Sequence, residues 1–444
     1  MSLHRSSVPP LSAALAALAT ITAIIEWAAR PAHAETVDAT VTTLLAGHAT
    51  PRDGAIYTVV PVYEMLSLLA SDLRIPYIDD LRIELSAWGM VAFGSPGDSV
   101  NNCVGASASL GDHACVTGDL DLGFLEGKVW KRRITARLGR QLVTGGAARV
   151  TQFDGLDIDV RIARGLGVQV YGGAPVTPRF ADSRGDALAG GRIYYRHSVS
   201  TELGVSAIYV LGQGRTARGD IAVDARYRAL PQLTFTGYAL YSLRELRLAE
   251  ATIAATVTPT PMLEITGEYR RVAPDLFLSR NSIFSVFSQE TRDEAGLWLS
   301  LLPRRGVRIY GDYHIVIDAG GMGHRGAAKA TFALGPQTTI GVEGRVLRLP
   351  DNGYLDGRIF GTQRLGRAFT LTVDLDAVRL ERALNGRDYS LTAAATAGWD
   401  FAPGWRSVVT AIGNVGPFVD GRFEVIAKLV YNHTYRFHQA VAKP

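Results

Sequence analysis

Apolar and polar residues trade places every second position in one segment of this chain after another. Phe369, Leu371, Val373, Leu375 and Ala377 alternate with Thr370, Thr372, Asp374 and Asp376. Val307, Ile309, Gly311, Tyr313, Ile315 and Ile317 alternate with Arg308, Tyr310, Asp312, His314 and Val316. Near the C-terminus, Phe423, Val425, Ala427, Leu429, Tyr431, Tyr435 and Phe437 oppose Glu424, Lys428, Asn432, Thr434 and Arg436. A period of two is the signature of a strand with one apolar and one polar face. The series starts with a weak segment at Val37 to Leu45 and continues to the end with few helical patterns between.

A soluble sandwich would alternate as well, so the medium is decided by other features. The segments approach the roughly ten residues that a tilted strand needs to cross a bilayer. Trp130, Trp399 and Trp405 stand near segment ends, where a membrane barrel places aromatic girdles. The apolar face also carries small residues, such as Ala249, Ala251 and Ala255, or Ala393, Ala395 and Ala397, where a sandwich core would want bulk. Connections alternate in length. Short ones are expected at 130–132, 163–165, 198–200, 258–260, 303–305, 335–336 and 366–367; longer ones near 95–117, 174–188, 212–218, 273–289, 318–323, 348–353 and 379–387. Together these predict an all-β fold: a single antiparallel transmembrane β-barrel of about 22 strands, or about 16 to 22 if weak segments drop out, with no plug domain.

The N-terminus reads as an export signal. Arg5 precedes the apolar run Leu11 to Ile25, and Ala32-His33-Ala34 offers small residues to a signal peptidase. Residues 1–34 are expected to be the signal and 35–444 the barrel, placed in the outer membrane against its lipid. Losing Arg5, Arg30 and Glu26 with the signal leaves 44 basic and 41 acidic residues of the original 46 and 42. Basic residues are scattered singly, which argues against nucleic acid as a partner. Cys103 and Cys115 lie in a loop-like segment and are expected to pair in an oxidising compartment.

The polar face carries the candidate chemistry. Arg133, Arg137, Asp157, Asp159, Arg161, Arg192, Arg196, Asp224, Arg226, Arg228, Glu264, Glu268 and Arg270, with Asp312 and His314, are expected to line a watery lumen. Such ladders fit a channel for diffusion of small polar or charged solutes; the alternative is a non-conducting structural or surface-binding barrel whose charges merely pair across strands. The apolar connection 273–289, with Phe277, Arg280, Asn281, Phe284 and Phe287, is expected to fold inward as a constriction; the alternatives are packing on the barrel rim or two strands continuing above the membrane as a hairpin. A barrel hydrolase ranks third: Asp312 and His314, with Asp318 and His324 nearby, are the best acid-histidine set. No nucleophile elbow, zinc-binding helix or phosphate loop accompanies them. No catalytic residue, metal or cofactor is assigned.

Arg140 and Asp154 break the pattern, because both fall on the apolar phase. Bulges at Gly139 and Gly155 would turn them inward as a structural ion pair. The run Arg137-Leu138-Gly139-Arg140-Gln141, followed by Phe153-Asp154-Gly155-Leu156, resembles the strand-loop-strand of porin-like barrels of the alginate-export type. The final strand, ending Tyr435-Arg436-Phe437, is similar to the C-terminal signal read by the outer-membrane insertion machinery, although His438 to Pro444 follow it. The resemblance implies a channel and that machinery as a partner. It carries no alginate specificity, since no dense arginine-lined conduit is evident.

Overall fold

The computed structural model describes residues 36–52, 55–75, 77–94, 108–109, 114–176, 185–198, 201–212, 214–273, 291–350, 352–417 and 419–436. Alternation becomes architecture directly. In the strand Thr201–Gly212, Leu203, Val205 and Tyr209 are exposed while Gly204, Ser206 and Ile208 are buried. One face of each strand therefore looks out and the other looks into the molecule. Each wall strand pairs antiparallel with the next in the chain, and β1 (Thr36–Arg52) closes the ring on β23 (Val419–Arg436) from Thr36↔Arg436 to Ala49↔Phe423. The result is a closed barrel of 22 strands, plus β4 (Ala108–Ser109), a two-residue strand that pairs on Val116 and Cys115 outside the ring sequence. The weak first segment is a full wall strand.

Both ends of the described chain sit at one rim, here the terminal end, because Thr36 pairs with both Ser71 and Arg436. Connections at this rim span two to four residues, as at 130–133, 164–165, 261–262 and 334–337. The far rim carries the three long connections, 95–113, 176–184 and 273–291, the first of them including β4. Several connections expected to be long are tight turns there. Strands Val307–Asp318 and Gly321–Ala333 are joined by two residues, and Phe369–Leu384 and Arg387–Ala402 also by two. The polar residues near 379–387 extend the ladder beyond the wall instead of forming a loop. The turn expected at 258–260 lies at 261–262, with Thr260 still paired to Leu263.

Outward residues are apolar along the wall, including Ile253, Leu297, Ile359 and Leu371. Near the terminal rim they become a chain of rings. Phe369, Trp399, Phe401, Trp405, Tyr431, His433 and Tyr435 follow one another with centroids 4.0 to 6.0 Å apart. Amphipathic rings at that level are what a hydrocarbon-to-water boundary selects. Among the described residues no helix is long and apolar enough to cross a membrane; β-strands are a separate case.

One outward assignment is corrected. Ala249 lies on the inner side, fully buried among Leu240 and Ala222. The register of Arg247–Thr260 on Leu233–Ser242 shifts between Leu240↔Glu250 and Tyr241↔Leu248, so Ala249 is the extra residue of a bulge and its side chain changes face.

Candidate functional site

The inner wall is a band of charge. Arg137, Asp157, Asp159, Arg161, Arg192, Arg196, Asp224, Arg226, Glu264, Glu268, Arg270, Asp312 and His314 all fall on the inward alternation, opposite the exposed Leu138, Leu156, Ile193, Val223, Tyr269 and Tyr313. Arg133 does not stand on the wall; it belongs to the turn after β5 (Ala114–Val129), its guanidinium 5.9 Å from the Trp130 ring centre.

Much of the band is paired. Arg137 Nε lies 2.5 Å from Glu126 Oε2, and Arg137 Nη1 lies 3.8 Å from Asp157. Gln169 donates to both oxygens of Asp157 at 3.0 and 3.1 Å. Arg192 bridges Glu202, at 2.7 Å, and Asp224, while Arg196 reaches Glu202 at 2.6 Å. Tyr194 donates to Asp159 at 2.9 Å. A second arc runs across Arg292–Glu294, Arg345–Glu343 and Arg358–Asp374, with Arg345 also 3.3 Å from Asp356. Sequence reasoning left out most of this second arc, although Glu343 and Arg345 follow the same period of two as Asp312 and His314.

The feature most clearly missed is a strap inside the barrel. Between β6 (Ile134–Gly145) and β7 (Arg149–Ala163), the 3-10 turn Gly146–Ala148 folds in from the far rim onto the inner wall. It is tied there by polar contacts at both edges. Ala147 N–H donates to Ser206 Oγ at 2.7 Å, Arg218 Nη2 donates to Ala147 O at 2.6 Å, and Tyr238 OH donates to Gly146 O at 3.1 Å. Arg149 pairs with Glu250 at 2.9 Å. Gly146 has φ +53, and a Cβ on it would run into the Ser206 side chain, so this position needs glycine twice over.

Beneath the strap, Val143, Ala147, Ala148, Phe153, Tyr171, Leu188, Ile208, Ala222, Leu240 and Ala249 form the largest apolar cluster in the described residues. Phe153 and Leu240 have no exposed surface. This explains why inward positions of the strands Gly185–Ser198, Thr201–Gly212, Arg215–Leu230 and Leu233–Ser242 carry Leu188, Ile208, Ala222 and Leu240 where alternation predicts polar residues. The signal was present in the sequence as a local loss of polarity on the inner phase at Ile208 and Val210.

The acid-histidine set is not assembled. His314 is fully buried, with Nδ1 at 3.3 Å from both Asp312 Oδ1 and Arg325 Nη2 and its ring against Trp298 at 5.7 Å. His324 faces the other side of the wall, where its Nδ1 meets Tyr313 OH at 2.7 Å, and Asp318 accepts only the Gly320 N–H. Among the described residues Nε2 of His314 has no hydrogen-bond partner. Among the described residues no group of three His, Cys, Asp or Glu is placed to hold a metal.

Arg140 and Asp154 do form the expected pair, bidentate at 2.8 Å on both arms. They do so without the expected bulges. Arg140↔Asp154 and Gly139↔Gly155 stay in even register, and both charged residues share the outward phase of Leu138 and Leu156. Neutralisation on the outer face replaces rotation to the inner one; Asp119, at 3.1 Å, and Leu120 O, at 2.8 Å, complete the guanidinium's partners. The signal segment, Cys103 of the expected disulfide, the expected constriction residues Phe277, Arg280, Asn281, Phe284 and Phe287, and Phe437 lie outside the described residues.

No protein-family model matches the chain. No curated protein matches it either. Among solved structures it is similar to Acinetobacter baumannii OccAB4, at 9% identity over 91% of this chain and 100% of that one, TM-score 0.41. It is also similar to the P pilus usher PapC translocation pore, at 8% identity over 90% and 100%, TM-score 0.47. Pseudomonas aeruginosa OccK7 (OpdD) aligns at 9% identity over 90% and 98%, TM-score 0.43. The closed ring itself rests on the strand pairings described above.

Proposed function

We propose that this chain is an outer-membrane channel of the porin-like kind, passing small polar or charged solutes by diffusion. The observation that carries the reading is the opposition of the two wall faces: apolar with a ring girdle outside, charged inside, around a closed ring. A wall built that way belongs in a bilayer, and 22 strands enclose a lumen wider than side chains alone fill. Short turns and both ends of the described chain at the terminal rim support a periplasmic position for it, with the long connections outside. The strap Gly146–Ala148 narrows the lumen on one side, in addition to the inward fold expected of residues 273–289. Insertion through the last strand fits the seam position of β23, and no catalytic role is assigned. Purified protein in planar bilayers should show discrete single-channel conductance. A folded, membrane-inserted barrel with none would leave the structural or surface-binding reading.

A further inference from the structure

Charge is not distributed evenly along the lumen. Towards the far rim, inward arginines are neutralised at contact: Arg149 by Glu250, Arg218 by Asp220, Arg292 by Glu294, Arg345 by Glu343 and Arg422 by Glu424. In the last stretch of wall before the terminal-side turns the situation reverses. Arg161, Arg226, Arg228, Arg308, Arg364 and Lys428 are all inward by alternation and exposed, and none lies within 4.0 Å of a described carboxylate. They come from strands spread around the ring, β7, Arg215–Leu230, Val307–Asp318, Gly353–Leu365 and β23. The adjoining turns add Lys131, Arg164, Arg305 and Arg367, all exposed.

Carboxylates at this level are few and mostly occupied. Asp159 accepts from Tyr194, Glu202 holds Arg192 and Arg196, and Asp400 lies 3.7 Å from Arg406. Asp72, Asp79 and Glu264 are the exposed ones, Asp79 accepting the Arg132 N–H. Like charges gathered around one opening, with a low-dielectric wall behind them, add their fields inside it and raise the local concentration of counter-ions. The basic residues are scattered singly in sequence, and only the barrel brings them to one level.

We propose that the terminal-side mouth is a capture collar for small anions of the carboxylate or phosphate class, so that such solutes enter more readily from that side than from the other. This rests on the channel reading for passage, but capture itself does not need an open pore. Salt supplies the test of sidedness. The screening length is about 30 Å at 0.01 M and about 10 Å at 0.1 M, so dilute salt at the collar lets its field fill the mouth, whereas concentrated salt there confines it to the wall.

In bilayers with channels inserted in one orientation, potassium chloride gradients should give chloride preference when the dilute side faces the collar. Swapping the gradient should reduce the chloride-to-potassium permeability ratio about threefold or more. The combined variant R161Q, R226Q, R228Q and R308Q should abolish that sidedness, whereas Arg379→Gln, an outward residue at the far rim, should keep it. Equal ratios in both orientations, or sidedness that survives the fourfold variant, would overturn the proposal. Fluorescence anisotropy of a pyrene trisulfonate dye with the detergent-folded barrel separates the two readings. Salt-sensitive binding lost in the fourfold variant supports the collar even if no current is seen, in which case the channel reading fails alone. A folded barrel that leaves the dye free overturns the collar.

Discussion

At the scale of the residue, face is decided by parity, and exceptions to parity are where chemistry intervenes. Arg140 is the clearest case. Its phase directs it outward, and the chain answers with a bidentate partner and a second carboxylate instead of a bulge. Replacing Arg140 by Leu leaves Asp154 and Asp119 without their cation on the apolar face. Replacing Asp154 by Leu leaves the guanidinium with Asp119 and the Leu120 carbonyl. Arg140→Leu is therefore expected to cost more, on the order of 2 kcal/mol, and Asp154→Leu less, with the double substitution recovering most of the loss. Urea refolding midpoints of the three variants in lipid check the ranking. Equal stability of Arg140→Leu and the parent would mean the pair is wet. The pairing was legible from the two anomalous positions. Its side of the wall was not, because a bulge and a neutralised outward charge leave the same residue pattern, and only the even register Gly139↔Gly155 separates them. Ala249 shows the converse. Nothing in an alanine distinguishes a regular outward position from a bulged inward one, so its burial could not be read from type alone.

At the scale of the element, strands were legible and their far-rim ends were not. Beyond the membrane level, alternation loses its apolar partner while backbone pairing continues, so the polar tail of a strand reads as a loop. The strap was hidden for a related reason: Gly-Gly-Ala-Ala reads as a flexible turn, and its destination is written elsewhere, in Ile208, Ala222 and Leu240 on strands that it covers. Those residues make the strap testable. Gly146→Val puts a branched side chain where Ser206 stands and forces a positive φ on a β-branched residue. The strap is expected to detach, raising single-channel conductance and exposing the Arg149 bond to trypsin, while the ring persists. Phe153→Ala removes the ring that packs against Tyr171 at 5.9 Å and should cost about 3–5 kcal/mol by the cavity it leaves. Unchanged conductance in a folded Gly146→Val barrel would show that the strap does not limit the pore.

At the scale of the whole molecule, every other feature depends on closure, since an open sheet would leave two unpaired edges in hydrocarbon. The seam is formed by the first and last strands, paired from Thr36↔Arg436 to Ala49↔Phe423, and Thr40 Oγ1 donates to Asn432 Oδ1 across it at 2.7 Å. Directly opposed residues of an antiparallel pair have Cα atoms about 4.5 to 5.5 Å apart, within the span that a disulfide bridges. A barrel carrying Thr40→Cys and Asn432→Cys, with Cys103 and Cys115 changed to serine, should therefore oxidise without reductant-sensitive loss of conductance. The substituted side chains lie on the inner phase, so the bond would not disturb the outer wall. On gels the unboiled protein should run like its parent, and the boiled protein should run differently with and without reductant, because oxidation ties residue 40 to residue 432 in one loop. If both cysteines instead stay open to thiol reagents in the folded, inserted protein, the first strand is not the partner of the last. The strand number would then have to be recounted from a different seam.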